Sequence, residues 1–170
     1  MSHLKYSSYP NLGVQNLENY HYNQAVRIPA GADRVEISGQ GKSSSKPHRP
    51  KPPQHHPVNT TPHLTHTGGW DPSTRAIHSD LLEEIDQAFS NVQLALQDAG
   101  VKAGWDGVLR VNSYHVGFEG NGRDRVMGRM VENLKKWCPG HAPLWTCVGV
   151  TALGMEEMRV EIEVVAVDEK

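Results

Sequence analysis

From Ile77 to Ala99 apolar side chains return at steps of three and four: Ile77, Leu81, Ile85, Ala88, Val92, Ala95 and Ala99. Leu82, Phe89 and Leu96 widen the stripe. That period belongs to a helix and not to a strand, and the polar back of the run keeps such a helix on the surface of a larger layer. Pro72 and Ser73 offer start signals and Gly100 a stop. An amphipathic helix of this length needs something flat and apolar beneath it, so the rest of the chain has to supply a sheet.

The strand candidates are short and alternate at period two. Ala25–Ile28 is one, Pro29–Asp33 is turn chemistry, and Arg34–Ser38 reads as the return strand of a hairpin. Gly107–Val116, Leu144–Thr151 and Met158–Val167 are three more, and a second helix is expected over Arg123–Trp137 with Val126, Met130, Leu134 and Trp137 inward. The expected order is β-β-α-β-α-β-β, an α+β fold with two helices on one face of a mixed sheet. The other sheet face then needs a cover, and a neighbouring subunit is the natural one.

Residues 42–68 break the pattern. They hold six of the eleven prolines and five of the ten histidines, and no acidic residue. A segment of that composition cannot offset the entropy of ordering, and it reads as a loop insertion. Its absence leaves about 143 residues, enough for one domain built from 1–41 and 69–170. Deletion of Lys42–Gly68 yields Ser-Gly-Gln-Gly-Gly-Trp-Asp-Pro, a tight strand-to-helix link. Gly41-Lys42 can be encoded with a 5′ intron signal, Leu64-Thr65 with a branch-site-like sequence and Thr67-Gly68 with a terminal AG. A retained intron is therefore one reading of the stretch, and a lineage-specific loop the other. His48, His55, His56, His63 and His66 match no closed zinc spacing, so neither metal nor other cofactor is expected.

The formal net charge is -2, and Lys42, Lys46, Arg49 and Lys51 lie in that stretch, so the rest carries six net negative charges. An acidic body argues against nucleic acid as the main partner. No apolar run of transmembrane length exists. Two cysteines, Cys138 and Cys147, make no disulfide framework, and a reducing compartment, cytosol first and mitochondrion second, fits them.

Several segments stand in a familiar order: Tyr22-Asn23-Gln24-Ala25-Val26, Glu36-Ile37-Ser38-Gly39-Gln40, Asn91-Val92 with Ala99-Gly100, Pro143–Val150, and Val160-Glu161-Ile162-Glu163-Val164. Together they resemble the RidA/YjgF/"L-PSP endoribonuclease" family over nearly the whole chain outside 42–68. The resemblance implies a chorismate-mutase-like fold, a homotrimer around a central β-barrel, and a small-molecule ligand in each inter-subunit cleft. It also implies hydrolysis of reactive imines or enamines to an oxo compound and ammonia. The family's tyrosine falls on Tyr22, its turn glycine on Gly39, its cysteine on Cys147 and its water-activating glutamate on Glu161. Tyr22 and Glu161 are thus the catalytic candidates. The arginine that clamps a substrate carboxylate in active members is replaced by Trp145, and the asparagine of the second helix by Gly128.

An indole offers one N–H and an apolar face where arginine offers a charged fork. The expected substrate range is therefore altered, with Trp145 as a stacking platform and Cys147 as a wall of the cleft. Thr146 between them, with Tyr114 and Arg110 on the middle strand, are the further substrate-binding candidates, Arg110 as a partial replacement for the clamp. The alternative function is a non-catalytic binding or regulatory trimer. Ribonuclease activity is a third reading that the acidic body disfavours. Without the resemblance, Glu161 and Glu163 read as facing solvent or an interface salt bridge from one strand face, Trp145 and Cys147 as core, and Tyr22 as strand packing.

Overall fold

A computed structural model describes residues 4–37, 69, 71, 73–74, 77–154 and 156–168. The stretch 42–68 and Gly39 lie outside the described residues. The elements run β1 (Lys5–Ser7), α1 (Leu12–Tyr20), β2 (Ala25–Arg27), β3 (Asp33–Ile37), α2 (Leu81–Asp98), β4 (Val108–Val116), α3 (Gly120–Trp137), β5 (Leu144–Val150) and β6 (Val160–Asp168). The main sheet has the order β3-β6-β4-β5. Only β4 and β5 are parallel, and α3 is the crossover that a parallel pair requires.

The long amphipathic helix starts later than the sequence signals at Pro72 and Ser73 suggest. Asp80 caps it, its carboxylate accepting from the N–H groups of Leu82 at 2.7 Å and Glu83 at 3.2 Å. That satisfies two donors a helix start leaves open. Gly100 takes the left-handed conformation just beyond the other end, at φ 77°, as the stop signal predicts. Ile85, Ala88, Phe89, Val92, Ala95 and Leu96 are buried against the sheet, beside Val126, Met130 and Leu134 of α3. Both helices cover the same sheet face, as expected.

The expected hairpin of the second and third strands does not form. β2 pairs with β1 in a separate two-stranded ribbon, while β3 pairs antiparallel with β6. The turn chemistry of residues 29–33 redirects the chain instead of folding it back. β1 and α1 were not legible as elements: three residues give too short a period, and Leu12 and Val14 of α1 stay exposed.

The ribbon explains a change of pattern within β6. Val160-Glu161-Ile162-Glu163 alternates buried and half-buried, whereas Val164-Val165-Ala166-Val167 is buried throughout. Continuous apolar sequence marks a strand covered on both faces. Leu4, Tyr6 and Val26 of the ribbon region, with Leu109, cover Val165 and Val167 from the outer side. A register shift between Val108 and Arg110 turns Leu109 toward that outer cluster, as a bulge does. The outer face is therefore closed at one end of the sheet and open at the other, where Glu161 and Glu163 lie.

Candidate functional site

Strand alternation divides the candidate residues between two faces. Tyr114 of β4 stands directly opposite Glu161 of β6, and Asn112 opposite Glu163 and Thr146. Arg110, Asn112, Tyr114, Glu161, Glu163 and Thr146 thus share the outer face. Trp145 and Cys147 point to the helix side, where both pack with the core and Tyr22. One protomer brings Glu161 and Tyr114 together, and Trp145, Cys147 and Tyr22 together, but the sheet separates the two groups. Trp145 and Cys147 lie on β5, which ends the strand order, whereas Tyr114 and Glu161 lie on β4 and β6 within the sheet.

On the outer face the Tyr114 hydroxyl donates to Glu163 at 3.2 Å. Burial, and then the charge of Glu163, holds the Glu161 carboxyl above its ordinary value. Burial and the Glu163 carboxylate likewise raise the Tyr114 phenol. Two carboxylates at i and i+2 on one strand face repel, and the one without a phenol partner among these contacts is the easier to protonate. Arg110 is exposed.

On the helix side the decisive group is Ser113, which the sequence analysis did not single out. Trp145 Nε1–H donates to Ser113 Oγ at 3.0 Å, and His115 Nε2 lies 3.0 Å from the same oxygen. Ser113 also stands directly opposite Cys147 across the two strands. A hydroxyl has two lone pairs and one proton. Donation from Trp145 takes one lone pair, and the hydroxyl and His115 Nε2 share the second bond in the direction that the imidazole tautomer sets. His115 Nδ1 is buried with no partner. Burial raises the Cys147 thiol, so it stays protonated at neutral pH and is a poor nucleophile. The indole N–H is already used, so Trp145 presents only its apolar body, with Tyr22 edge-on at a ring separation of 6.2 Å.

Tyr22 is held there by its neighbour Asn23, a second positioning residue missed in the sequence. The Asn23 amide side chain donates to Ala142 O at 2.7 Å and its backbone N–H to Pro143 O at 3.1 Å. This lays the Tyr22 segment beside the start of β5. A signal for Ser113 and His115 was present: both occupy inward positions of a period-two strand whose other inward residue, Val111, is aliphatic. Among the described residues no group of three or more His, Cys, Asp or Glu could hold a metal ion. No described helix is long and apolar enough to cross a membrane.

His115 gives a pH prediction. It is 1% exposed, and burial lowers its imidazole from 6.5 to about 4. The unfolded chain therefore binds the proton first, so stability is fully present above pH 6.5 and falls as pH drops toward about 4. The contribution is about 3 kcal/mol by linkage. Urea midpoints for the wild type and His115→Val between those limits check it. The wild type should lose more stability on acidification than the variant, and parallel slopes would refute the assignment.

The family model described as Endoribonuclease L-PSP matches residues 46–168. No curated protein sequence matches the chain. Among solved structures, a protein of unknown function of the conserved Rid protein family, YyfB from Yersinia pestis, is 18% identical. It covers 98% of this chain and 99% of its own, with a TM-score of 0.69. Yeast Mmf1 is 20% identical over 87% of each chain with a TM-score of 0.54. RidA from the Antarctic bacterium Psychrobacter sp. PAMC 21119 is 21% identical over 86% of this chain and 87% of its own, with a TM-score of 0.53. At these identities the likeness is one of fold, and the mixed sheet with its helical layer is the expected chorismate-mutase-like arrangement.

Proposed function

The chain belongs to the Endoribonuclease L-PSP family, and from that premise we propose that it hydrolyses uncharged or apolar imines and enamines to an oxo compound and ammonia. Glu161 is the base. Its carboxylate takes a proton from water as the water oxygen bonds to the imine carbon. Glu161 returns that proton to the imine nitrogen, giving a carbinolamine. It then carries the proton of the new hydroxyl to the same nitrogen, so that the C–N bond breaks, ammonia leaves, the carbonyl forms and the carboxylate is regenerated. A base held above the ordinary carboxylate range by burial and by Glu163 is better matched to neutral pH. Thr146, Tyr114 and Arg110 lie on the Glu161 side of the cleft, and Tyr22, Trp145 and Cys147 on the other side of the sheet, so in this reading the cleft takes in both groups only where two copies meet.

The observation that carries the substrate class is the Trp145–Ser113 hydrogen bond. The position that would clamp a carboxylate is apolar, and its single donor is occupied. The open half of the outer face, with Val148 38% exposed, supports assembly as a homotrimer whose cleft is completed by a neighbouring copy. Residues 1–41 and 69–170 form the domain in this reading, with 42–68 as an insertion or retained intron that a shorter cDNA would expose.

The test compares freshly generated 2-iminobutyrate with an uncharged imine of similar size. Loss of a charged hydrogen bond costs about 1.5–3 kcal/mol. The uncharged substrate should therefore lead in kcat/KM by about tenfold or more, and a preference for the anionic imine would sink the reading. The second reading, a binding or regulatory trimer without chemistry, is favoured by the same occupied indole. It predicts no rate above buffer for either imine.

A further inference from the structure

Roughly 20 Å along β6 from Glu161, counting strand rise, the sheet ends in a half-open cavity of about 640 Å3. We propose that this cavity is a second binding site, independent of the Glu161 cleft, for a small amino acid whose ammonium is held by His141, Asp106 and Asp168 and whose carboxylate meets Lys102. Its volume lies within the range of small-molecule sites. Its lining comes from four separate parts of the chain, Tyr6 of β1, Lys102 and Asp106 before β4, Gly140 and His141 before β5, and Asp168 of β6.

His141 is fixed in orientation and tautomer. Its Nε2 lies 2.7 Å from the carbonyl of Val108, and a carbonyl only accepts, so that nitrogen carries the proton. The Tyr6 ring supports the imidazole at 5.4 Å. Nδ1 is left as a lone pair. Burial lowers the His141 imidazole, which keeps it neutral and an acceptor. The charge of Asp106 acts on the same ring. The lining therefore combines an imidazole acceptor and two carboxylates with one cation. Acceptors in excess select a ligand that donates, an ammonium above all, and Lys102 selects for an anionic group on the same molecule. The substrate cleft differs in its helix-side group, the apolar body of Trp145.

Gly140 provides a clean test, since a Cβ there meets nothing within 4 Å and the residue is not in the left-handed region. Gly140→Leu adds a branched side chain at the cavity lining, at a position with room for its Cβ. Calorimetric titration of the full chain would use butylamine, butyrate and an ω-amino acid series from glycine to 6-aminohexanoate. At least one amino acid of the series should bind more tightly than both single-charge probes. Its affinity should fall about tenfold or more in Asp106→Asn, the share of one charged hydrogen bond, and be lost in Gly140→Leu. Glu161→Gln should bind it as the wild type does, which separates this site from the cleft. Absence of binding across the series, or binding that survives Gly140→Leu or disappears in Glu161→Gln, would overturn the proposal.

Discussion

Glu84→Gln is expected to destabilise the protein by about 3–5 kcal/mol, the cost of breaking a buried ion pair from one side. Glu84 is fully buried in the first turn of α2. One carboxylate oxygen accepts from the backbone N–H groups of Arg159 at 2.7 Å and Val160 at 3.2 Å, and the other from Arg159 Nε at 2.7 Å. An amide in that place turns a donor toward donors. The side chain of Arg159 is 34% exposed and keeps part of its hydration, so the lower end of the range is the better expectation. Replacing the pair by two leucines should not restore stability, because the two backbone N–H groups would still lack an acceptor. Urea unfolding of the single and double variants measures this, and a double variant as stable as the wild type would show that the backbone bonds carry little.

The same carboxylate bears on function through position. It ties the start of α2 to the start of β6, where one of its donors, the Val160 N–H, is one residue from Glu161. Arg159 extends the tie by donating to His78 O at 2.7 Å, and Gly69 packs so closely on Glu84 that a Cβ has no room. The chain that returns after residue 68 is thus anchored at the residue that also sets the entry of β6.

What was legible in the sequence was whatever periodicity dictates. The stripe from Ile85 to Leu96 gave α2, and the alternation of Val160–Glu163 gave a strand with Glu161 and Glu163 on one face. Pairing partners were not legible, because Ala25–Arg27 and Asp33–Ile37 are adjacent in sequence and the turn between them looks like a hairpin turn. Their actual partners, β1 and β6, are chosen by apolar residues far along the chain. Asp80 was hidden behind louder start signals at Pro72 and Ser73. In the site, a substitution such as Trp145 is visible in one dimension, but its consequence is not. Only the cross-strand register that sets Ser113 opposite Cys147 shows that the indole N–H is already used. Likewise, residue types alone could not say that Thr146 and Trp145 stand on opposite sides of the sheet.

Glu161→Gln is the substitution with the largest expected effect on activity. Loss of a general base lowers the rate by about 100- to 10,000-fold. The effect on folding has the opposite sign. A carboxyl whose ionisation is disfavoured in the fold, here by burial and by Glu163, weakens the folded state wherever it is charged. At neutral pH the variant's urea midpoint should therefore be unchanged or slightly raised. A residue that only props up the sheet would instead lower the midpoint while leaving the rate of the remaining folded protein intact. The acid limb of the wild-type pH–rate profile should lie above the ordinary glutamate value of about 4.3. Glu163→Gln should move that limb down, because it removes the like charge that helps to raise Glu161, while keeping the base itself. A limb that stays in place in Glu163→Gln would assign it to another group. A Glu161→Gln protein that keeps the full rate would remove the base from the proposed reaction and leave the cleft as a binding site alone.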